Sequence, residues 1–235
     1  DMGANVQEKF AAWRDPQMKL TSLQVDKKAK TVTATYNLPE VKADLTIAYR
    51  ATENGTLNVT QSLKTTPGAE MPEMMRFGMV MNLPYAMDQA EWYGRGPVEN
   101  YSDRKLSQNV GIYKATADQL FYPYVRPQET GTMSDLRWWN IKDNNGFGLR
   151  IESDALFSAS ALHYDLYTLD EGKEKNQRHS QSLPKSQYTN LFIDLVQAGF
   201  GGVDSWSDWG RARKGHRVEY KDYTFSFRIS PKTLY

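Results

Sequence analysis

Short runs in which apolar and polar residues alternate, separated by turn sequences, make up most of this chain. In residues 43–49 the larger apolar side chains occupy every second position, a period of two that is typical of a half-buried β-strand. Asn54-Gly55 follows, a dipeptide that strongly favours a tight hairpin turn, and a second strand starts at Leu57. The same arrangement recurs around residues 143–146. The pattern therefore predicts successive antiparallel strands.

The other patterned segments extend this prediction along the chain. Strands are predicted over residues 31–36, 43–49, 57–63, 136–142, 147–152, 155–162, 190–196 and 220–229. Many short strands with turns between them predict an all-β sandwich or barrel. Helix is expected only in short pieces, over residues 6–13 and 116–120, and the charged residues 168–178 are expected to form an exposed loop or a short helix.

The sequence predicts one domain over residues 1–235, because the strand pattern continues on both sides of the loop expected at residues 65–72. No repeat or low-complexity tract interrupts it. The opening residues 1–5 have no initiator methionine and no strand or cap before them. We therefore expect the chain to be a fragment of a longer polypeptide.

The charge balance gives no support for a nucleic acid or an anionic membrane as partner. The chain has 29 Lys and Arg residues against 28 Asp and Glu residues, a formal net charge of +1. No segment approaches the roughly 20 apolar residues of a membrane-spanning helix. Cysteine is absent, which excludes disulfides and thiolate metal ligands but does not distinguish the cytoplasm from the periplasm.

None of the common catalytic motifs is complete. Residues 94–97 lack the third glycine of a nucleotide-binding loop, and Pro97 would block the start of its helix. There is no Gly-x-Ser-x-Gly nucleophile motif. The three histidines are far apart, and none has a second ligand at metal-site spacing: His163, His179 and His216.

Carboxylates are numerous, but the sequence does not pair them. Five lie in turn-like, aromatic-rich surroundings: Glu99, Asp103, Glu129, Asp135 and Asp204. A glycosidase needs two carboxylates about 5–9 Å apart. Residues 92–105 and 122–139 combine four of these acids with arginines and aromatics. Ion-pair networks that fix long loops are the favoured interpretation, and a sugar pocket is the alternative.

Residues 201–207 combine small turn-forming residues with one large aromatic side chain. The sequence Gly-Gly-Val-Asp-Ser-Trp-Ser predicts a tight turn, because glycine reaches backbone shapes closed to other residues and Asp and Ser hydrogen-bond locally. Such a turn would present Trp206 to a flat apolar surface, such as the CH face of a sugar ring. By itself the local sequence slightly favours a Trp206 side chain that fills the core. The features found along the rest of the chain favour a Trp206 side chain that faces a sugar instead.

Three long motifs identify a family. WYGRGPVENYSDRK at residues 92–105, YPYVRPQETGTMSDLRWW at residues 122–139 and GFGGVDSWS at residues 199–207 resemble, in order and spacing, the C-terminal small-chain domain (domain 5) of the glycoside hydrolase family 2 β-galactosidases. The opening DMGAN is similar to the second half of that domain's entry motif. The resemblance therefore covers essentially the whole chain, and it implies a large antiparallel β-supersandwich, similar to galactose mutarotases.

The resemblance also implies an activity for the longer polypeptide. Family members are retaining enzymes that hydrolyse terminal β-galactosides such as lactose, with two catalytic glutamates on a separate (β/α)₈ barrel and Mg²⁺ and Na⁺ bound by other domains. This domain would then hold no catalytic residue and no metal ligand, and would be inactive alone. Its implied partners are the galactoside substrate and the barrel domain of the same polypeptide, in a homo-oligomeric parent enzyme.

One residue of this domain is implied to reach the substrate. Trp206 matches a tryptophan that forms an apolar platform for the sugar at the aglycone side, and Asp204 and Ser205 match the residues that support its turn. Val203 stands where the family usually has an aspartate, so one acidic residue remains in the turn.

Other functions stay open at this point. An autonomous carbohydrate-binding module would bind sugar on a concave sheet face. An aldose 1-epimerase would need a glutamate base beside a histidine acid, and Glu129 and His163 can be nominated, although no motif supports them. A purely structural domain would shape the oligomer.

Overall fold

Antiparallel β-sheet accounts for nearly all regular structure in the computed structural model, which describes residues 5–170 and 178–233. The predicted all-β fold class is thereby confirmed. Residues 1–4 of the opening motif and residues 171–177 of the predicted charged loop lie outside the described residues. The strands are β1 (Lys19–Asp26), β2 (Thr31–Leu38), β3 (Ala43–Ala51), β4 (Leu57–Thr65), β5 (Arg76–Pro84), β6 (Gln89–Gly96), β7 (Asn109–Thr116), β8 (Met133–Lys142), β9 (Phe147–Leu162), β10 (Tyr188–Gln197) and β11 (Tyr223–Thr233).

The helices are all short. They are α1 (Val6–Lys9), α2 (Ala11–Arg14), α3 (Ala117–Leu120) and α4 (Leu166–Leu169). The helix predicted over residues 6–13 is divided at Phe10, whose φ of −111° is not helical. The helix predicted near residue 116 is confirmed as α3, which begins with a reciprocal capping box between Thr116 and Gln119. In the part of the chain that the structure describes, no helix is long and apolar enough to span a membrane.

The strands form one branched sheet. Its main path runs in the order β1-β2-β3-β4-β11-β9-β8-β6-β7, with antiparallel neighbours. β10 leaves this path and pairs with both β5 and β9. β9 joins the branch formed by β5 and β10 to the main path, because its residues 147–152 pair with β11 and its residues 158–162 pair with β10. The sequence predicted two strands here, whereas the structure has one strand of 16 residues.

Large apolar side chains lie opposite one another on neighbouring strands of the main path. Trp92 on β6 pairs with Trp139 on β8, and Trp139 pairs with Ile151 on β9. All three are fully buried, and the two indoles stack with their ring centroids 5.3 Å apart. The alternation predicted for the last strand is confirmed, because Phe225 and Phe227 are both buried on one face of β11. The connecting segments that carry the candidate site are built on this core.

Candidate functional site

The connection between β10 and β11 carries the predicted aromatic turn. The backbone N–H of Val203 donates to the carbonyl oxygen of Trp209 at 2.7 Å, which closes residues 203–209 into a loop, called the Trp206 turn below. Gly202 lies at its base, where an added Cβ would come within 2.4 Å of the backbone of Gly210. A side chain at this position would collide with that backbone, so the close approach of residues 202 and 210 requires glycine.

The carboxylate of Asp204 holds the turn together. Its Oδ1 accepts hydrogen bonds from the backbone N–H groups of Trp206 at 3.0 Å and Ser207 at 2.8 Å, and its Oδ2 accepts one from the Ser207 hydroxyl at 2.7 Å. The Ser207 hydroxyl in turn accepts a hydrogen bond from the N–H of Trp209 at 3.1 Å. Within the turn, hydrogen bonds are made by the Asp204 carboxylate and the Ser207 hydroxyl, whereas the side chain of Ser205, nominated from the sequence beside Asp204, is exposed.

These hydrogen bonds also affect the charge of Asp204. The Ser207 hydroxyl, followed by the backbone N–H groups, lowers the pKa of the Asp204 carboxyl below its ordinary value. Because the pKa is lower in the folded chain than in an unfolded one, the support from the carboxylate is complete at neutral pH. It is lost only as the pH falls through that lowered pKa.

The Trp206 turn presents two indoles to solvent. Trp206 is 78% exposed and Trp209 is 71% exposed, so the interpretation that Trp206 fills the core does not apply. Trp209 was not among the site residues predicted from the sequence, although it lies three residues after Trp206 in a turn-forming segment.

The base of the turn is tied to a distant segment by Asp103. The backbone N–H of Gly201 donates to Asp103 Oδ2 at 2.6 Å. Next to it, the ring of Phe200 meets the ring of Tyr101 edge to face, with centroids 4.8 Å apart. Residues 99–104 therefore fix where the Trp206 turn sits relative to the sheet.

Replacing Asp103 with alanine is expected to loosen the base of the turn, because the Gly201 amide loses its charged acceptor. A hydrogen bond to a charged group contributes about 1.5–3 kcal/mol, so native-state hydrogen exchange of the Gly201 amide should accelerate by roughly tenfold or more. Asp103→Asn retains an acceptor oxygen and should show a smaller acceleration. Unchanged protection of Gly201 in the alanine variant would show that Asp103 does not hold the turn.

The carboxylate of Glu99 connects the two motif segments identified from the sequence. Its Oε1 accepts hydrogen bonds from the Arg104 guanidinium at 2.6 Å and from the Tyr124 hydroxyl. Its Oε2 accepts from the Thr130 hydroxyl at 3.1 Å and the Gly131 N–H at 2.6 Å. Burial, followed by the hydrogen bond to Glu99, raises the pKa of Tyr124, so its hydroxyl remains a donor.

Asp135 forms ion pairs with two basic side chains of the same region. Its carboxylate lies 2.5 Å from Arg95 Nε and 2.7 Å from Lys105 Nζ. Burial opposes ionisation, but the hydrogen bonds from Lys105 and Arg95 outweigh it and lower the pKa of Asp135. This pairing connects β8 to β6 and to the segment that follows it.

A third network lies where β5 meets β10. Arg76 donates from Nε to Asp194 Oδ1 at 3.1 Å and from Nη1 to Glu129 Oε2 at 3.1 Å. Glu129 also accepts a hydrogen bond from the Thr132 hydroxyl at 2.9 Å. Sequence reasoning did not find Asp194, because it lies within a strand 118 residues from Arg76.

All five carboxylates nominated from the sequence therefore accept hydrogen bonds from this chain's own groups. This is the arrangement expected from the interpretation that the motif segments form ion-pair networks. Residues 92–96, for which no strand was predicted, belong to strand β6. Through these contacts, residues of the two motif segments stabilise long connecting segments, among them the one that carries the Trp206 turn.

The histidine nominated for epimerase chemistry has other partners. His163 is 1% exposed, with Nδ1 3.0 Å from Asp118 Oδ1 and Nε2 3.3 Å from the carbonyl oxygen of Tyr85. Its ring stacks on Tyr85, whereas Glu129 belongs to the Arg76 network. Within residues 5–170 and 178–233, no group of three or more His, Asp or Glu side chains could hold a metal ion.

The fold and the site define the class: an antiparallel β domain that presents two indoles on a hydrogen-bonded turn. The family model described as "Beta galactosidase small chain" matches residues 1–229, and the chain belongs to this family. The resemblance identified from the three sequence motifs is thereby confirmed.

Curated relatives agree with this assignment. The chain is 29% identical to a β-galactosidase of Priestia megaterium over 98% of its own length and 22% of the relative's. It is 33% identical to a β-galactosidase of Lactobacillus delbrueckii subsp. bulgaricus over 88% of its own length and 20% of the relative's. The chain thus spans about a fifth of the length of these two relatives.

Two solved structures overlap with most of the chain. A GalM/aldose epimerase homologue from C. elegans matches with a TM-score of 0.43 and 9% identity, covering 93% of this chain and 69% of the other. The GH36 α-galactosidase AgaA from Geobacillus stearothermophilus matches with a TM-score of 0.46 and 10% identity, covering 92% of this chain and 26% of the other.

Proposed function

We propose that this chain is an accessory domain of a retaining β-galactosidase and that Trp206 completes the substrate pocket at the aglycone side. The substrate would be a terminal β-galactoside such as lactose. The observation that carries this proposal is the exposed ring of Trp206, whose backbone N–H is held by the Asp204 carboxylate, in a chain of this family.

The size of the contact suits binding rather than bond cleavage. Covering an indole with the CH face of a sugar removes apolar area from water at roughly 25 cal/mol per Å², which amounts to about 1–2 kcal/mol. Glycoside hydrolysis needs rate gains of many powers of ten. Each nominated carboxylate accepts at least one hydrogen bond from this chain's own groups. We therefore propose that the catalytic glutamates lie on a barrel domain of the same polypeptide and that this chain alone is inactive.

The parent enzyme is also proposed to be a homo-oligomer and to bind Mg²⁺ and Na⁺. Both ions would be held by parts of the polypeptide outside this chain. In this arrangement the present domain supplies the shape of the pocket, and the other domains supply its reactive groups.

Replacing Trp206 with leucine in the full-length enzyme is expected to raise KM for lactose about tenfold, because the loss of stacking costs roughly 1.4 kcal/mol. The value of kcat should change far less, since the indole does not contact the reacting bond. Steady-state kinetics measures both parameters. An unchanged KM would remove the proposed role of Trp206.

The matched control is Tyr188→Leu. Tyr188 is also an exposed aromatic residue, but it lies at the far end of β10, a strand of 10 residues that spans roughly 30 Å. Its replacement should leave KM unchanged. Titration of the isolated chain with lactose, followed by tryptophan fluorescence, tests the alternative: saturable millimolar binding would support an autonomous carbohydrate-binding module.

A further inference from the structure

Two of the sequence motifs meet at the carboxylate of Asp103. This residue belongs to the first motif, between β6 and β7, whereas Gly199 and Gly201 belong to the third motif, which follows β10. The backbone N–H of Gly201 donates to Asp103 Oδ2 at 2.6 Å. An added Cβ at Gly199 would collide with the same oxygen, and one at Gly201 would lie 3.0 Å from it. The third motif therefore needs glycine at residue 199, because the carboxylate occupies the space that a side chain would fill.

The segment that carries Asp103 is anchored on both sides of this residue. Asn100 is fully buried, and its side-chain oxygen accepts a hydrogen bond from the Ser134 N–H of β8 at 3.1 Å. Tyr101 is also buried, and the Arg104 guanidinium lies over its ring, 4.7 Å from the ring centroid. Since Asp103 lies between Tyr101 and Arg104 in sequence, its carboxylate is preorganised to accept a hydrogen bond.

A short series of backbone contacts leads from Gly201 to Trp206. Two residues after Gly201, the Val203 N–H donates to the carbonyl oxygen that closes the Trp206 turn. Inside the turn, the Trp206 N–H donates to Asp204 Oδ1 at 3.0 Å. These bonds fix the internal shape of the turn, whereas the Asp103 contact fixes its base relative to the sheet.

A second contact reaches the turn from another segment, and it is weaker. Lys9 pairs with Asp208, but the two side chains are 43% and 72% exposed, so water screens the pair. Asp103 is half-buried, and its bond to the Gly201 amide is a charge-assisted hydrogen bond, which is stronger than a neutral one. The position of the turn therefore depends more on Asp103 than on Lys9.

We propose that Asp103 is a positioning residue of the substrate site, which acts through the Gly201 amide to hold the Trp206 turn where its indole covers the sugar. The inference rests on the proposed function. It gives the first motif a part in substrate binding without requiring that Asp103 contact the sugar. Loss of this anchor matters because a misplacement of about 1 Å is enough to weaken a positioned contact.

The test uses steady-state kinetics of the full-length enzyme with lactose. Asp103→Ala is expected to raise KM about fivefold, equivalent to about 1 kcal/mol, while kcat changes less than twofold. Asp103→Asn keeps an acceptor oxygen for the Gly201 amide and should restore most of the affinity. Gly199→Ala leaves the carboxylate present but displaces it, so it should raise KM as well. The control is Asp154→Ala, which removes an exposed aspartate of β9 and should leave KM unchanged.

A double variant shows whether Asp103 acts through Trp206. Once the indole is gone there is no ring to position, so Asp103→Ala should not raise KM further in a Trp206→Leu background. Effects that multiply instead, to about fiftyfold, would mean that Asp103 acts independently of Trp206, and they overturn the inference. If Trp206→Leu raises KM but Asp103→Ala does not, the inference is overturned and the proposed function stands. If Trp206→Leu leaves KM unchanged, the proposed function fails and the inference fails with it.

Discussion

Replacing Asp194 with alanine is expected to lower the free energy of unfolding by about 2–4 kcal/mol, because it leaves Arg76, whose side chain is only 20% exposed, without its main partner. Asp194 is 2% exposed and accepts hydrogen bonds from both Nε and Nη2 of Arg76. Burial opposes the charge of Arg76, but Asp194 and Glu129 outweigh it and raise the pKa of the guanidinium above its ordinary value. Glu129 alone, which contacts only Nη1, cannot replace the lost carboxylate.

Urea unfolding monitored by tryptophan fluorescence measures this loss. Asp154→Ala is the matched control, since Asp154 is an exposed aspartate paired with Arg228, and its removal should change stability by no more than about 0.5 kcal/mol. The triple variant Arg76→Met, Glu129→Gln and Asp194→Leu removes all three charges of the network and should recover part of the stability. An Asp194→Ala variant as stable as Asp154→Ala would show that this network does not stabilise the fold.

Replacing Glu99 with alanine is expected to cost about 1–3 kcal/mol, because the buried Gly131 N–H loses its acceptor and the Thr130 hydroxyl keeps only the longer bond to the Tyr122 carbonyl oxygen, at 3.3 Å. The Thr130 hydroxyl and the Gly131 N–H both donate to Glu99 Oε2 in a buried environment. Arg104 contributes less to this cost, since its side chain is 43% exposed and water can replace the carboxylate. The effect should therefore concentrate where residues 122–131 meet residue 99.

Two measurements test this expectation. Urea unfolding gives the total loss, and hydrogen exchange at the Gly131 amide reports whether the loss is local. Glu99→Gln retains one acceptor oxygen and should fall between the wild type and Glu99→Ala in both measurements. Equal and small effects of the two variants would indicate that the carboxylate contributes little beyond its shape.

The strands with the clearest alternation were the ones that the sequence predicted. The repeating pattern of residues 43–49 and the Asn-Gly turn at residues 54–55 depend on neighbouring residues alone, so they can be read locally. β1 was missed because a bulge between Leu20 and Ser22 shifts the alternation by one position. β6 was missed because its glycines resemble a turn. Gly94 is instead required for packing, since an added Cβ would lie 2.5 Å from the Leu136 side chain.

The candidate site was predictable in part. The local turn chemistry around Trp206 and Asp204 could be inferred from seven consecutive residues. The Asp103 anchor could not, because it lies 98 residues from Gly201 and only the fold brings the two together. Trp209 was missed because hydropathy does not distinguish an exposed tryptophan from one in the core, and burial decides which role it has.

Because β9 pairs with β10 as well as with β8 and β11, neither part of the described sheet can detach without breaking hydrogen bonds to β9. Detaching β5 and β10 would strip hydrogen bonds from the same strand that holds β8 and β11. Partial opening is therefore disfavoured, and the sheet is expected to melt in a single all-or-none transition. The Trp206 turn follows β10 along the chain, so its base is attached to this branch of the sheet.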